Sequence, residues 1–188
     1  RAVKKGVKTY RLKEAMQDGL VTANELEVLR HEWLSKHPIA PIGFLAKAEL
    51  RIESLSESCW IALSDQRLVA LIACIPTPGQ TGWFFEDLFR HRDAPHGTME
   101  LLVKHAFDQQ TKQTQQFVTL GMVPFTQLET SLSTPAARFL RFIKSFVALF
   151  YGIESLRHFK NRFRPTRWSP MFLLSIDGPI TISDLLVT

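Results

Sequence analysis

Residues 59–122 constrain the fold most tightly. Cys59 to Leu63 and Arg67 to Ile75 are two β-rich runs separated by Ser64-Asp65-Gln66, the signature of a hairpin. Trp83 to Arg90 reads as the next strand. Gly97 to Gln110 reads as a helix with Met99, Leu102, Val103 and Ala106 on its inner side, and Phe117 to Met122 as a further strand. A hairpin followed by strand, helix and strand predicts an α/β (α+β) chain: a mixed, mostly antiparallel sheet covered by helices.

The flanks fit that plan. Val7 to Leu12 alternates like a strand, and Thr22-Ala23-Asn24-Glu25 gives a polar start to a helix reaching about Lys36, with Leu26, Leu29, Trp33 and Leu34 on one face. His37-Pro38 ends it, Pro38 to Pro41 is a rigid connector, and Phe44 to Leu55 reads equally as helix or strand. Thr134-Pro135 opens a helix from Ala136 to Tyr151, stopped by Gly152. Ile153 to Phe163 is another helix, ended by Arg164-Pro165, and Trp168 to Ile176 is a final strand before the turn Asp177-Gly178-Pro179.

At 188 residues, 45% hydrophobic and 22% charged, the chain is long enough for one real core. The start, Arg1-Ala2-Val3-Lys4-Lys5-Gly6, reads as the basic last turn of a helix stopped by glycine, as if the chain began inside a larger protein. Twenty-three Lys and Arg against 18 Asp and Glu give a net charge of +5, which favours an anionic partner such as nucleic acid or phospholipid. The excess is concentrated: Arg138, Arg141, Lys144, Arg157, Lys160, Arg162, Arg164 and Arg167 face a single acid, Glu154. Cys59 and Cys74 are single and flanked by apolar residues, which argues against a metal pair or a thiol redox motif and for buried small hydrophobes. With no apolar-cored leader and no apolar run of membrane-spanning length, the expected compartment is the reducing cytosol.

The chemistry concentrates in Asp87-Leu88-Phe89-Arg90 and the following Asp93-Ala94-Pro95-His96-Gly97-Thr98-Met99-Glu100. A strand end, a polar turn and a helix N-terminus aim backbone N–H groups and a positive dipole end at one point, which suits a carboxylate, a phosphate or a developing oxyanion. Spacing alone leaves Asp87 and Arg90 on opposite faces of a strand unless it bulges or ends there. His91, His96 and His158 form no triad or metal spacing and read as loop or surface residues.

Several blocks stand in order: Glu32-Trp33-Leu34, Ile42-Gly43-Phe44, Asp87-Leu88-Phe89-Arg90, Ala94-Pro95-His96-Gly97-Thr98-Met99, Leu120-Gly121-Met122-Val123-Pro124, Phe150-Tyr151 and Leu156-Arg157-His158-Phe159-Lys160. The series resembles the catalytic domain of the bacterial phosphatidylglycerol lysyltransferases across nearly the whole chain. The resemblance implies a GNAT-like acyltransferase fold, with residues 1–6 ending a linker helix and residues 7–188 forming the second fold of a tandem. It implies transfer of an aminoacyl group, lysyl by the family's name, from aminoacyl-tRNA to phosphatidylglycerol or a related anionic lipid at the cytoplasmic, inner face of the cell membrane. The donor would be a substrate, with no separate cofactor and no metal, and the preceding fold would be a partner within the parent chain.

By the same resemblance Asp87, Arg90 and Lys160 are the active-site residues, and Gly97, Thr98, Arg157 and Arg162 are candidates for substrate binding. Asp87 would hold the donor's α-amino group or orient the acceptor; Arg90 would pair with Asp87 or meet a phosphate; Lys160 would counter negative charge. The family carries a glutamate shortly before its Phe-Tyr pair where this chain has Ala148, which leaves the amino acid open. Arg138, Arg141 and Lys144 recur every three residues among Phe142, Phe146 and other apolar side chains. Such a helix either lies in a membrane interface or packs against a neighbouring fold.

Two other functions remain open at this level. One is an acyl-coenzyme A transferase acting on an amine or peptide, against which stands the single glycine and rigid proline of residues 90–97. The other is a non-catalytic module that binds lipid or RNA.

Overall fold

The computed structural model describes residues 1–35, 58–77, 82–111, 117–123 and 153–170. The chain divides into two compact units, Arg1–Pro38 with Ala48–Gly121, and Ile39–Lys47 with Met122–Thr188. Outside the described residues lie the expected connector and ambiguous element of residues 38–55, the helix of residues 136–151 with all five membrane-facing candidates, and residues 171–179.

In the first unit a 3-10 turn, Val3–Lys5, is closed by Gly6, whose N–H donates to the Val3 carbonyl at 3.1 Å. Strand β1 (Lys8–Arg11) follows, and then a short helix α1 (Leu12–Gln17) that the alternating pattern of residues 7–12 does not announce. Leu12, expected to end the strand, instead opens this helix and is buried with Ala15. Helix α2 (Ala23–Ser35) begins with a capping box. The Glu25 N–H donates to Thr22 Oγ1 at 3.3 Å and the Thr22 N–H to Glu25 Oε2 at 2.8 Å.

Strands β2 (Cys59–Ser64) and β3 (Arg67–Pro76) form the expected hairpin. Its two-residue turn sets both Asp65 (φ 49°) and Gln66 (φ 61°) in the left-handed region, the turn whose twist matches the flanking strands. Strand β4 (Gly82–Arg90), helix α3 (Thr98–Thr111) and strand β5 (Phe117–Thr119) complete a five-stranded sheet ordered β1-β2-β3-β4-β5. The first three pairings are antiparallel and the last is parallel.

Both faces of the sheet are covered. Leu12, Ala15, Leu26 and Leu29 of α1 and α2 join Cys59, Ile61, Leu71, Ala73 and Phe89 in one core cluster. On the opposite face α3 buries Met99, Leu102, Val103 and Ala106, the spacing of one helical stripe, and the His105 ring meets Trp60 edge-on at 5.0 Å. The all-buried pattern of β2 follows from this double cover.

Strand β5 is shorter than expected. It pairs with β4 only at Gly82↔Phe117, Trp83↔Val118 and Phe84↔Thr119, and residues 120–123 are not strand. Gly121, at φ +73°, turns the chain off the sheet, and its N–H donates to Thr119 Oγ1 at 3.1 Å.

In the second unit, helix α4 (Ile153–Asn161) is followed by a turn in which the Arg162 N–H bonds the His158 carbonyl at 3.2 Å. Phe159 and Phe163 meet edge-on at 5.2 Å. Residues 168–170 are not strand, so the expected element Trp168 to Ile176 does not begin there; its remainder lies outside the described residues.

Gly121 is a sharp test of the divergence, because a Cβ there would lie 2.7 Å from Phe84 Cε2 in addition to the strain of positive φ. We expect Gly121→Ala to cost ~2 kcal/mol of stability in thermal or denaturant unfolding. Gly19→Ala, at φ +68° but with nothing within 4 Å of the added carbon, should cost less.

Candidate active site

Two departures from a regular ladder shape the site, and both are on β4. The first is the departure of β5: among the described residues no strand pairs with the outer edge of β4 beyond Phe84, so residues 85–90 present backbone polar groups along one side. The second is a bulge. Cys74 lies opposite Phe85 but Ala73 lies opposite Asp87, leaving Glu86 as the extra residue. Without it Phe85 and Asp87 would share a face. With it, Phe85 takes the α3 side with Cys74, and Asp87 takes the α2 side with Ala73 and Phe89.

Asp87 is thereby half-buried against an apolar cluster. Burial, and secondly the charge of adjacent Glu86, push its carboxyl up to about 6. Glu86, the bulged residue, is also raised by burial. The Asp87 charge also acts on Cys59, which stands opposite Ala73: that thiol is pushed up to about 12 by burial first and by the Asp87 charge second. Cys59 and Cys74 are both buried and free, as expected, and burial raises both thiols, so neither is a thiolate at neutral pH.

The ladder does not bring Arg90 to Asp87. Arg90 lies opposite Ala70, three residues on with no second bulge between, so its side chain projects from the α3 face and is exposed. Of the two roles expected for Arg90, pairing with Asp87 is closed by this register.

The turn into α3 is tightly built. Gly97 sits at φ +90°, and the fully buried Thr98 donates its hydroxyl to the Pro95 carbonyl at 2.6 Å. Thr98 Oγ1 therefore closes the turn on itself rather than facing a ligand. Gly97 provides the backbone conformation that the turn requires.

Lys160, in the second unit, is only 7% exposed, unusual for a lysine. Its Nζ donates to the Met122 carbonyl at 2.8 Å, and burial lowers it to about 8. Arg157 and Arg162 lie on and just beyond the same helix and are exposed. Asp87 and Lys160 thus each have a strongly perturbed proton affinity, a property concentrated at reacting groups.

His96 and His158 are exposed, as expected from the sequence. His91 is a correction: it is 6% exposed and held by side chains from α2 and β3. Nothing local signals this, because Glu32 and Arg67 reach it from other elements. Among the described residues, no group of three His, Cys, Asp or Glu is placed to hold a metal ion, and no helix is long and apolar enough to cross a membrane.

Comparison with known proteins gives this arrangement a family. The L-PGS structure from Bacillus licheniformis superposes with a TM-score of 0.61 at 22% identity, over 87% of this chain and 49% of that one. The C-terminal domain assigned to a lysylphosphatidylglycerol synthetase of Agrobacterium fabrum gives 0.60 at 17% identity, over 88% and 49%. An aminoglycoside acetyltransferase from an uncultured soil metagenomic sample shares the fold at 0.53 and 10% identity, over 94% of this chain and 99% of that one. The fold is therefore the GNAT-like one, and the chain spans about half the length of the first two structures. No curated protein matches it. The model of the phosphatidylglycerol lysyltransferase C-terminal family matches residues 1–175, and the chain belongs to that family.

Proposed function

We propose that this chain is the catalytic part of an aminoacyltransferase that moves an aminoacyl group, a lysyl group by family, from aminoacyl-tRNA to phosphatidylglycerol or a related anionic lipid at the inner face of the cell membrane. The observation that supports this most is the family match over residues 1–175. In this reading the donor is a substrate, and no separate cofactor is needed.

The ester is already activated. The acceptor hydroxyl attacks its carbonyl carbon, a new ester bond forms, the bond to the tRNA ribose oxygen breaks, and the proton of the acceptor hydroxyl ends on that oxygen. The protein must align the partners, stabilise the tetrahedral oxyanion and move one proton. Asp87 suits the proton transfer, because a carboxyl near 6 is ionised at pH 7 yet accepts a proton more strongly than a solvated aspartate. Lys160, near 8, is largely an ammonium at pH 7 and supplies a compact positive charge for the oxyanion or a phosphate. Arg90, exposed and not paired with Asp87, with Arg157 and Arg162, would take lipid or tRNA phosphates. Arg138, Arg141 and Lys144, with Phe142 and Phe146, would rest on the lipid surface, and a preceding fold would complete the enzyme. The acyl-coenzyme A alternative has less support, because the turn before α3 holds one glycine and its threonine hydroxyl is internally bonded.

Lipid extracts from cells expressing the full-length protein should contain an aminoacylated phospholipid that cells expressing Asp87→Asn lack. Acylation of a small amine from acetyl-coenzyme A, without such a lipid, would overturn the reading. Turnover should follow a bell-shaped pH profile, rising through about 6 as Asp87 ionises and falling through about 8 as Lys160 loses its proton. Asp87→Asn should lower turnover ~10²–10⁴-fold.

Stability should move the other way. Because the folded carboxyl titrates near 6 and the unfolded one near 3.8, the folded state binds more protons between those values and loses stability as pH rises through them. Asp87→Asn should therefore raise Tm above pH 6 by about 2–5 °C and leave it unchanged below pH 3.8.

A further inference from the structure

Among the described residues, the half of β4 that holds Asp87 and Arg90 has a ladder partner on one side only, and further contacts fix where it ends. The ladder with β3 runs one step past Arg90, where the His91 N–H donates to the Val69 carbonyl at 2.9 Å. Beyond the backbone, two consecutive residues of α2 reach the end of the strand. Trp33 meets the Phe89 ring edge-on at 5.1 Å, and Glu32 Oε2 lies 2.9 Å from His91 Nε2.

Three residues bring polar groups to the two nitrogens of the His91 ring. The Asp93 backbone N–H donates to Nδ1 at 3.1 Å, with the Asp93 carboxylate 3.7 Å from the same atom. Nε2 has two neighbours at 2.9 Å, Glu32 Oε2 and Arg67 Nη2. Only one of these can share a hydrogen bond with Nε2 at a time: Glu32 when the nitrogen bears the proton, Arg67 when it bears the lone pair. The Asp93 N–H decides between them, since a backbone amide can only donate. Nδ1 then bears the lone pair, and the neutral ring places its proton on Nε2 toward Glu32.

We propose that His91, as its Nε2–H tautomer, is a positioning residue that clasps the end of β4 to helix α2 and so fixes the strand segment that carries Asp87 and Arg90. With both nitrogens occupied and the ring buried, His91 holds the strand rather than shuttling a proton to substrate. The sequence 91–93 ties strand exit, turn and helix together: Nδ1 orders the turn residue Asp93, and the Ala94 N–H returns to the His91 carbonyl at 3.2 Å. The kinetic consequence rests on the aminoacyl-transfer reading; the clasp itself does not.

Two substitutions separate the ring's halves. Glutamine places an N–H donor near the position of Nε2 and can still reach Glu32, whereas asparagine places its amide near Nδ1 and stops short. In the full-length protein, we expect His91→Asn and His91→Ala to lower kcat by about 10²-fold with little change in KM for the donor, as a misplaced reacting group does. His91→Gln should keep most of the activity. Nitrogen NMR of the wild-type ring should show a pyrrole-type Nε2 and a pyridine-type Nδ1, and amide exchange of residues 87–90 should quicken in His91→Asn relative to His91→Gln. A pyrrole-type Nδ1, a fully active His91→Asn, or a folded His91→Gln as inactive as His91→Ala would overturn the proposal. If the wild-type protein transfers no aminoacyl group, the functional reading fails, and the ring tautomer with the exchange of residues 87–90 still decides the clasp: exchange equal in His91→Asn and His91→Gln would refute it.

Discussion

Strand β4 is hydrogen-bonded to β3 from Trp83 to Arg90 but to β5 only from Gly82 to Phe84, and the candidate chemistry depends on that asymmetry. A fully paired central strand would hide its backbone and leave nothing to bind. A free strand would not hold a side chain to a fraction of an ångström. A strand fixed on one side, released by β5 on the other at Gly121 and tied at its end to α2, has rigidity together with an edge that is open among the described residues.

The bulge at Glu86 uses that rigidity to aim one carboxylate. It turns Asp87 toward the apolar layer under α2, where desolvation raises its proton affinity, and it places a second carboxylate next door. Both effects oppose folding at neutral pH. An asparagine would be better tolerated there, so the aspartate is a cost that stability does not explain and that the proposed proton transfer would. Lys160 repeats the pattern in the second unit, where a buried ammonium is retained with a backbone carbonyl as hydrogen-bond acceptor.

Much of the fold was legible because its signals are local. The hairpin turn, the stripe Met99, Leu102, Val103, Ala106 and the polar start at Thr22 each need only a few neighbouring residues to be read. The ordered motif blocks, Asp87 to Arg90 among them, pointed to the family that the comparison shows. What escaped depends on residues distant in sequence. The bulge exists only relative to β3, so the placing of Phe85 and Asp87 on two faces, and with it the burial of Asp87 under α2, follows from pairing rather than pattern. The same holds for His91, an apparent loop histidine whose burial is made by Glu32 and Arg67, and for β5, which ends where Gly121 meets the Phe84 ring.

The most direct test is a carbon-13 NMR titration of the Asp87 carboxyl in the full-length protein, assigned by difference against Asp87→Asn. A midpoint near 6 is predicted, as a desolvated carboxylate beside Glu86 requires. A midpoint near 3.8 would mean a solvated surface aspartate and would contradict the site described for β4.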